Sequence, residues 1–426
     1  MDTNTRPLRQ ACAAGRGDAE TASVARRHTS GALGRRRFLA GLGVAGGALA
    51  SQVAFSREAY AAPASTGTLI AIFLRGGLDG LATLVPADDP NLVPVRPGLI
   101  IPSSTLVPMD RGFGLHPALA PLAPLVKAGR VAAVPAIATP DLKRSHFEAQ
   151  DCLERGGVPS ASTGWLDQAV TLLGPGTALR SMGMGTRTDR ALLGANPSLT
   201  VRRLADMVFD GDAPFVSAMS TLYSGTAGLQ AAQVRLAVES YAQIRTLAGS
   251  APSAAARGYP GTLFGEQMAD LGTVVKAGAG LRVATIDLHG FDTHDAQGAT
   301  FGTLSDLLGE VAGSVAAFFT DIGAAVDTTT VLVMSEFGRR VEQNGNGGTD
   351  HGHGGVAMVL GGGVKGGVKG AWSGLAPAAL DNGDVPGSND WRNLFGELLV
   401  KRFALTTSQA SSVLGGWTVT PIGVMV

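Results

Sequence analysis

The sequence predicts an α/β fold: a doubly wound, mostly parallel sheet with helices on both faces and a helix-rich insertion. Two observations predict it. Short, continuously apolar, β-rich runs alternate with segments of helical apolar spacing, the pattern of strands buried on both faces. The 60 glycines gather in loops beside polar residues, as tight strand-to-helix turns require.

The first element in chain order is a leader. Gly34-Arg35-Arg36-Arg37-Phe38-Leu39 matches the x-R-R-x-F-L core of a twin-arginine export signal. A weakly apolar stretch follows from Ala40 to Phe55, shorter than the roughly 20 residues that a spanning helix needs. Ala59-Tyr60-Ala61 supplies an A-x-A cleavage pattern, so residues 1–61 read as a disordered leader plus signal peptide. Gly41 to Gly46 fits G-x-G-x-x-G, but it follows an arginine run rather than a strand, so no dinucleotide site is read there.

About 365 residues remain, and residues 65–426 read as one α/β domain. Its strands are expected at Thr68–Leu74, Val131–Ile137, Leu281–Leu288, Thr330–Ser335 and Val356–Leu360, the last a central one. Helices are expected over Pro117–Ala128 and Thr303–Ile322. Residues 186–279, including helical Gln230–Thr246, read as an insertion or cap without clear strands. Formal net charge is +0, with 34 basic and 34 acidic residues, which gives no electrostatic case for nucleic acid. Beyond the leader, no apolar run reads as a permanent transmembrane segment. Of the 2 cysteines only Cys152 follows the leader, so no intramolecular disulfide is expected.

Chemistry-bearing residues cluster where expected strands end. These clusters are Arg75–Gly80, Lys143–Glu148, His289–His294, Glu336–Arg340 and Gly348–Gly355. Ligands of open parallel sheets bind outside the carboxyl ends of strands, so the five clusters are expected to converge on one edge. Each also has a plainer reading. Asp79 suits a helix N-cap as well as a metal ligand, and Ser145, before helical FEAQDCLE, suits an N-cap as well as a nucleophile. Ser145 and His146 form no dyad, because adjacent helical residues diverge, and no G-x-S-x-G elbow exists. Asp292 with His294, and Asp350 with His351 and His353, pair carboxylate and imidazole in glycine-rich loops. Such mixed ligands suit Zn, Mn or Fe, with Ca or Mg if the histidines are spectators. Glu336, ending an apolar strand, needs a metal or an arginine to be tolerated there. His116 reads as a helix-entry residue without function.

LRGGLDGL, SHFEAQD, FDTHDAQ, SEFGRR and GTDHGHGG resemble the signature blocks of the bacterial domain of unknown function 1501 family, many of whose members carry twin-arginine signals. The resemblance runs almost the length of the mature chain. That family resembles the alkaline phosphatase and sulfatase superfamily, which implies one or two divalent metals at the sheet's carboxyl edge. It implies metal ligation by Asp79, Asp292, His294, and His351 or His353, and Glu336 and Asp350 are further candidate ligands from the residues themselves. Ser145 falls at the nucleophile's position, and Arg75, His146 and Arg339 are the candidate substrate-binding residues. Glu336-Phe337 stands where the superfamily has Asp-His, a departure at the second metal site. The absent C-x-P-S-R pattern speaks against formylglycine. The expected function is an exported, metal-dependent hydrolase of a phosphate or sulfate ester, with Ser145 or a water on the metal attacking. The alternative is an exported binding or assembly scaffold with a degenerate site. Expected partners are the twin-arginine translocon, a small ester substrate and, from the family's gene neighbourhoods, a protein encoded nearby.

Overall fold

A computed structural model describes residues 67–207 and 212–426. The leader and its signal lie outside the described residues. Strand β1 (Thr68–Arg75) opens the chain, followed by a small antiparallel sheet of β2 (Leu84–Pro86), β3 (Val107–Pro108) and β4 (Phe113–Leu115). Then come β5 (Val131–Ala138), β6 (Ser181–Met184), β7 (Leu199–Val201), β8 (Val283–His289) and β9 (Thr329–Met334). A hairpin of β10 (Arg339–Gln343) and β11 (Thr349–His351) leads into β12 (Gly355–Gly361), β13 (Gly367–Val368) and β14 (Asn389–Asp390).

The main sheet runs β13-β5-β12-β9-β1-β8-β6-β7, with β14 paired to β5. Its pairs are parallel except at β12, which is antiparallel to both β5 and β9. The expected central strand is therefore present but reversed. The β10–β11 hairpin between β9 and β12 supplies no crossover helix, and a short connection returns antiparallel.

Alternation along β1 covers both faces. Ile70, Ile72 and Leu74 pack with Met268 and Leu271 of helix Leu263–Lys276 and Leu304, Leu308 and Val311 of helix Thr303–Ile322. Leu69, Ala71 and Phe73 pack on the other face with Leu394, Phe395 and Leu398 of helix Trp391–Phe403 and with Leu166 and Val170 of helix Trp165–Leu173. Continuous apolar strands flanked by amphipathic helices thus bury into a three-layer sandwich. Residues 186–279 contain β7 as well as helices Asp212–Tyr223, Leu229–Ser250 and Leu263–Lys276. One described segment, Thr303–Thr328, is apolar and long enough to cross a membrane by length and composition. Half of its most apolar stretch is buried within the fold.

The parallel order sends the ends of β1, β8 and β9 to one edge. Strand β5 runs parallel to β9 through the reversed β12, so its following loop reaches the same edge, and so does the loop that enters β12. The fold therefore gathers all five polar clusters at one rim.

Candidate metal centre

Glu336 follows β9 and is 1% exposed. Its Oε1 accepts hydrogen bonds from Gly76 N at 2.9 Å, His146 Nδ1 at 2.8 Å and Gln150 Nε2 at 2.8 Å. Ser335 Oγ lies 3.0 Å from Oε2. His146 and Gln150 begin and follow by one turn on helix His146–Glu154, so their spacing of four brings both to one carboxylate. Burial opposes charge on Glu336, but the bonds from His146 and Gln150 outweigh it and hold its pKa at about 2.

A carboxylate oxygen facing Nδ1 makes that nitrogen the donor and leaves Nε2 with the lone pair. In His146 the buried Nε2 has no hydrogen-bond partner, and it lies 3.4 Å from Asp292 Oδ2. His351 repeats the arrangement: Nδ1 lies 2.9 Å from the Arg144 carbonyl, and Nε2 lies 3.1 Å from Asp292 Oδ1. His294 repeats it again, with Nδ1 3.0 Å from Asp350 Oδ1 and Nε2 3.1 Å from Asp292 Oδ1. The Nε2 atoms of His294 and His351 are 3.0 Å apart. Ligand atoms of His146, Asp292 and His351 all lie within 4.8 Å of one another. Three imidazole lone pairs thus turn toward the Asp292 carboxylate, His146 at Oδ2 and His294 and His351 at Oδ1, and like-signed acceptors at these distances need positive charge between them. Glu336 raises the His146 pKa, the same preference for positive charge.

Neighbours fix the rings. Phe337 packs against His146 and His351, each 4.9 Å between centroids, and those imidazoles meet edge to face at 4.4 Å. In the hairpin, His351 is the register partner of Arg339. Gly76, at φ +125°, passes so close beneath the neighbouring loop that a Cβ there would lie 2.4 Å from Asp292 N.

The structure sorts the expected ligands. Asp292, His294 and His351 meet, and His146, expected at the substrate, joins them. Glu336 and Asp350 stand one step outside, each holding an imidazole by its Nδ1. Asp79 does not reach the centre, a correction with a clear cause. It is fully buried, its Oδ1 caps Leu81 N and Ala82 N, and its Oδ2 takes Arg96 Nη1 and Gln297 Nε2, both at 2.7 Å. Burial works to raise the Asp79 pKa, but the Arg96 pairing lowers it. His353 is a second correction, because its Nε2 lies 3.2 Å from the Thr139 carbonyl.

Two expected substrate contacts also change role. Arg339 is 1% exposed and donates to carbonyls of Gly77, Thr349, Gly76 and Phe291 and to Asp292 Oδ1 at 2.5 Å. It is a buried clamp across three loops. Against partial burial, this guanidinium holds the Asp292 pKa at about 2. Arg75 is engaged by Asp287 at 2.6 Å, Glu154 at 2.5 Å and Gln150 at 3.1 Å. Ser145 occupies the N-cap position of its helix by backbone, but its hydroxyl makes no capping bond. His116 accepts from Ala118 N at the start of a 3-10 turn, as a helix-entry residue does. The sequence reading missed Gln150, although its place four residues after His146 in SHFEAQD was the available signal.

A family model described as protein of unknown function (DUF1501) matches residues 135–394, more than half of the chain. The chain belongs to that family. The matched span carries four ligand candidates, His146, Asp292, His294 and His351, with Glu336 and Asp350 behind them. No curated protein matches the sequence. Among solved structures, it is similar to the integral membrane protein lipooligosaccharide phosphoethanolamine transferase A from Neisseria meningitidis, at 10% identity and a TM-score of 0.31. That likeness covers 91% of this chain, which spans 66% of the other's length. It is also similar to BT1596, a 2-O GAG sulfatase, at 9% identity and a TM-score of 0.32, over 84% of this chain and 72% of that one. Likeness of that degree transfers no activity to this chain.

Proposed function

We propose that the protein is an exported, metal-dependent hydrolase of a phosphate or sulfate ester. One observation carries the reading: three imidazoles, each with Nδ1 engaged elsewhere, turn Nε2 toward the carboxylate of Asp292 at the sheet edge where open α/β folds bind ligands. His146, Asp292, His294 and His351 would hold the ion. A divalent ion there supplies a Lewis acid that offsets charge gathering on a transferred phosphoryl or sulfuryl group. Glu336, Asp350 and the Arg144 carbonyl keep the imidazoles in one tautomer, while Arg339 fixes the Asp292 carboxylate. The side chain of Asp292 is 47% exposed, so the centre is open to a substrate from solvent.

Ser145 lies between Arg144, whose carbonyl holds His351, and His146 itself. Its hydroxyl makes no capping bond to the helix that follows. Attack by Ser145 makes a serine ester and releases the alcohol, and water then frees the phosphate or sulfate. Attack by water gives the same products in one step.

The deciding measurement is turnover of an aryl phosphate and an aryl sulfate by the mature protein with each divalent metal supplied. Turnover should require metal and disappear in Asp292→Ala. Loss of turnover in Ser145→Ala, with metal content kept, assigns the serine; retention assigns water. Absence of turnover under every metal overturns the enzyme reading and leaves the scaffold.

A further inference from the structure

We propose that this centre takes one zinc-type ion, held by Nε2 of His146 and His351 and by Asp292, with Nε2 of His294 beside them. The inference rests on the metal-dependent reading above and narrows it from any divalent metal to one ion of one class.

The donor set decides the class. Calcium and magnesium take oxygen ligands, whereas zinc and its late first-row neighbours take imidazole nitrogen with carboxylate. Each of the three Nδ1 atoms is spent on an oxygen, of Glu336, Arg144 or Asp350, so each ring can offer only Nε2. An oxygen partner on the far nitrogen is the arrangement that orients metal-bound histidines. The spacing agrees. Two ligands each about 2.0–2.1 Å from one four-coordinate ion lie about 3.3 Å apart. Here the separations are 3.0 Å between His294 and His351, 3.1 Å from each of these to Asp292 Oδ1, and 3.4 Å from His146 to Asp292 Oδ2.

The count follows from the carboxylates nearby. His146, Asp292 and His351 form one group within 4.8 Å of one another, and Asp79 and Glu336 beside it are engaged elsewhere. Asp79 is saturated by two backbone N–H groups, Arg96 and Gln297. Glu336 Oε1 already accepts three hydrogen bonds, and Ser335 faces its Oε2. Asp292 Oδ1 carries the Arg339 guanidinium. Arginine keeps its proton at any working pH, so Asp79 and Asp292 Oδ1 each face a fixed positive charge.

The test uses the mature exported protein. Metal content is measured as purified, and the chelator-stripped protein is then titrated with Co(II) alone and with Zn(II) alone. One equivalent per chain is expected, with the intense visible absorption of four-coordinate Co(II), displaced by Zn(II). His146→Ala should weaken binding at least tenfold and change that spectrum, while His353→Ala should change neither; circular dichroism confirms that both variants are folded. If His146→Ala does not fold, the stoichiometry and the wild-type Co(II) spectrum still decide. Two equivalents, the pale spectrum of six-coordinate Co(II), or binding of calcium or magnesium alone overturns the inference. Ester turnover accompanying any of those results keeps the hydrolase reading; no bound metal and no turnover sinks both.

Discussion

Glu336 illustrates how a residue of ligand chemistry becomes a holder of ligands. Its carboxylate is buried, carries a depressed pKa, and spends Oε1 on Gly76, His146 and Gln150. What it transmits is orientation: with its Nδ1–H directed at Glu336, His146 faces Asp292 by Nε2. Glu336→Gln keeps the size of the side chain but removes the charge that fixes this tautomer. Zinc affinity should fall about 10–100-fold, the usual cost of losing such a partner. Competition with a chromophoric chelator measures it, and unchanged affinity would show that Glu336 serves packing alone. Sequence reasoning recognised that Glu336 needed a partner but assigned it the metal or an arginine. The partner is a histidine 190 residues earlier, and only the parallel order of β5, β9 and β1 makes the two neighbours.

Elements decide which of the plausible ligands meet. The helix Gly80–Thr83 is too short to hold itself, and Asp79 caps it from within the core. Arg96, 2% exposed, also donates to the Val341 and Arg340 carbonyls at 2.6 and 2.7 Å, so one ion pair ties the first loop to strand β10. Asp79→Ala leaves that guanidinium buried without its counter-charge, at a cost of about 3–5 kcal/mol. Metal content should stay at the wild-type level in the fraction that folds. Chemical denaturation and elemental analysis check the two halves, and loss of metal from folded protein would restore Asp79 as a ligand. The N-cap reading of Asp79 was legible, because capping is local. Its pairing with Arg96 was not, because no pattern marks which of many arginines turns inward. Long apolar strands such as β1 and β5 were legible for the same local reason. Strands β10 and β11 are polar, three to five residues long, and defined by pairing with each other rather than by composition. That hairpin reverses β12 and delivers His351, so the orientation of β12 was beyond reach along with it.

For the whole molecule, the centre exists only when the sheet is complete. Its ligands come from the loop after β5, the loop after β8 and the end of β11, and Arg339 locks three loops together from beneath. On the proposed reading, metal loading would therefore follow folding, and a route that moves folded protein would let both happen before transport. This fits the proposed twin-arginine export, whose signal at Arg35, Arg36 and Arg37 lies outside the described residues. Changing all three to lysine keeps the charge and removes the guanidinium pair that the translocon reads. The precursor should accumulate in the cytoplasm, shown by fractionation and immunoblotting, with the extracytoplasmic form reduced at least tenfold. The retained precursor should already carry its metal and turn over ester. Undiminished export of the lysine variant removes the twin-arginine assignment. A retained precursor that is folded but empty, and fills on adding zinc, instead places metal loading after transport.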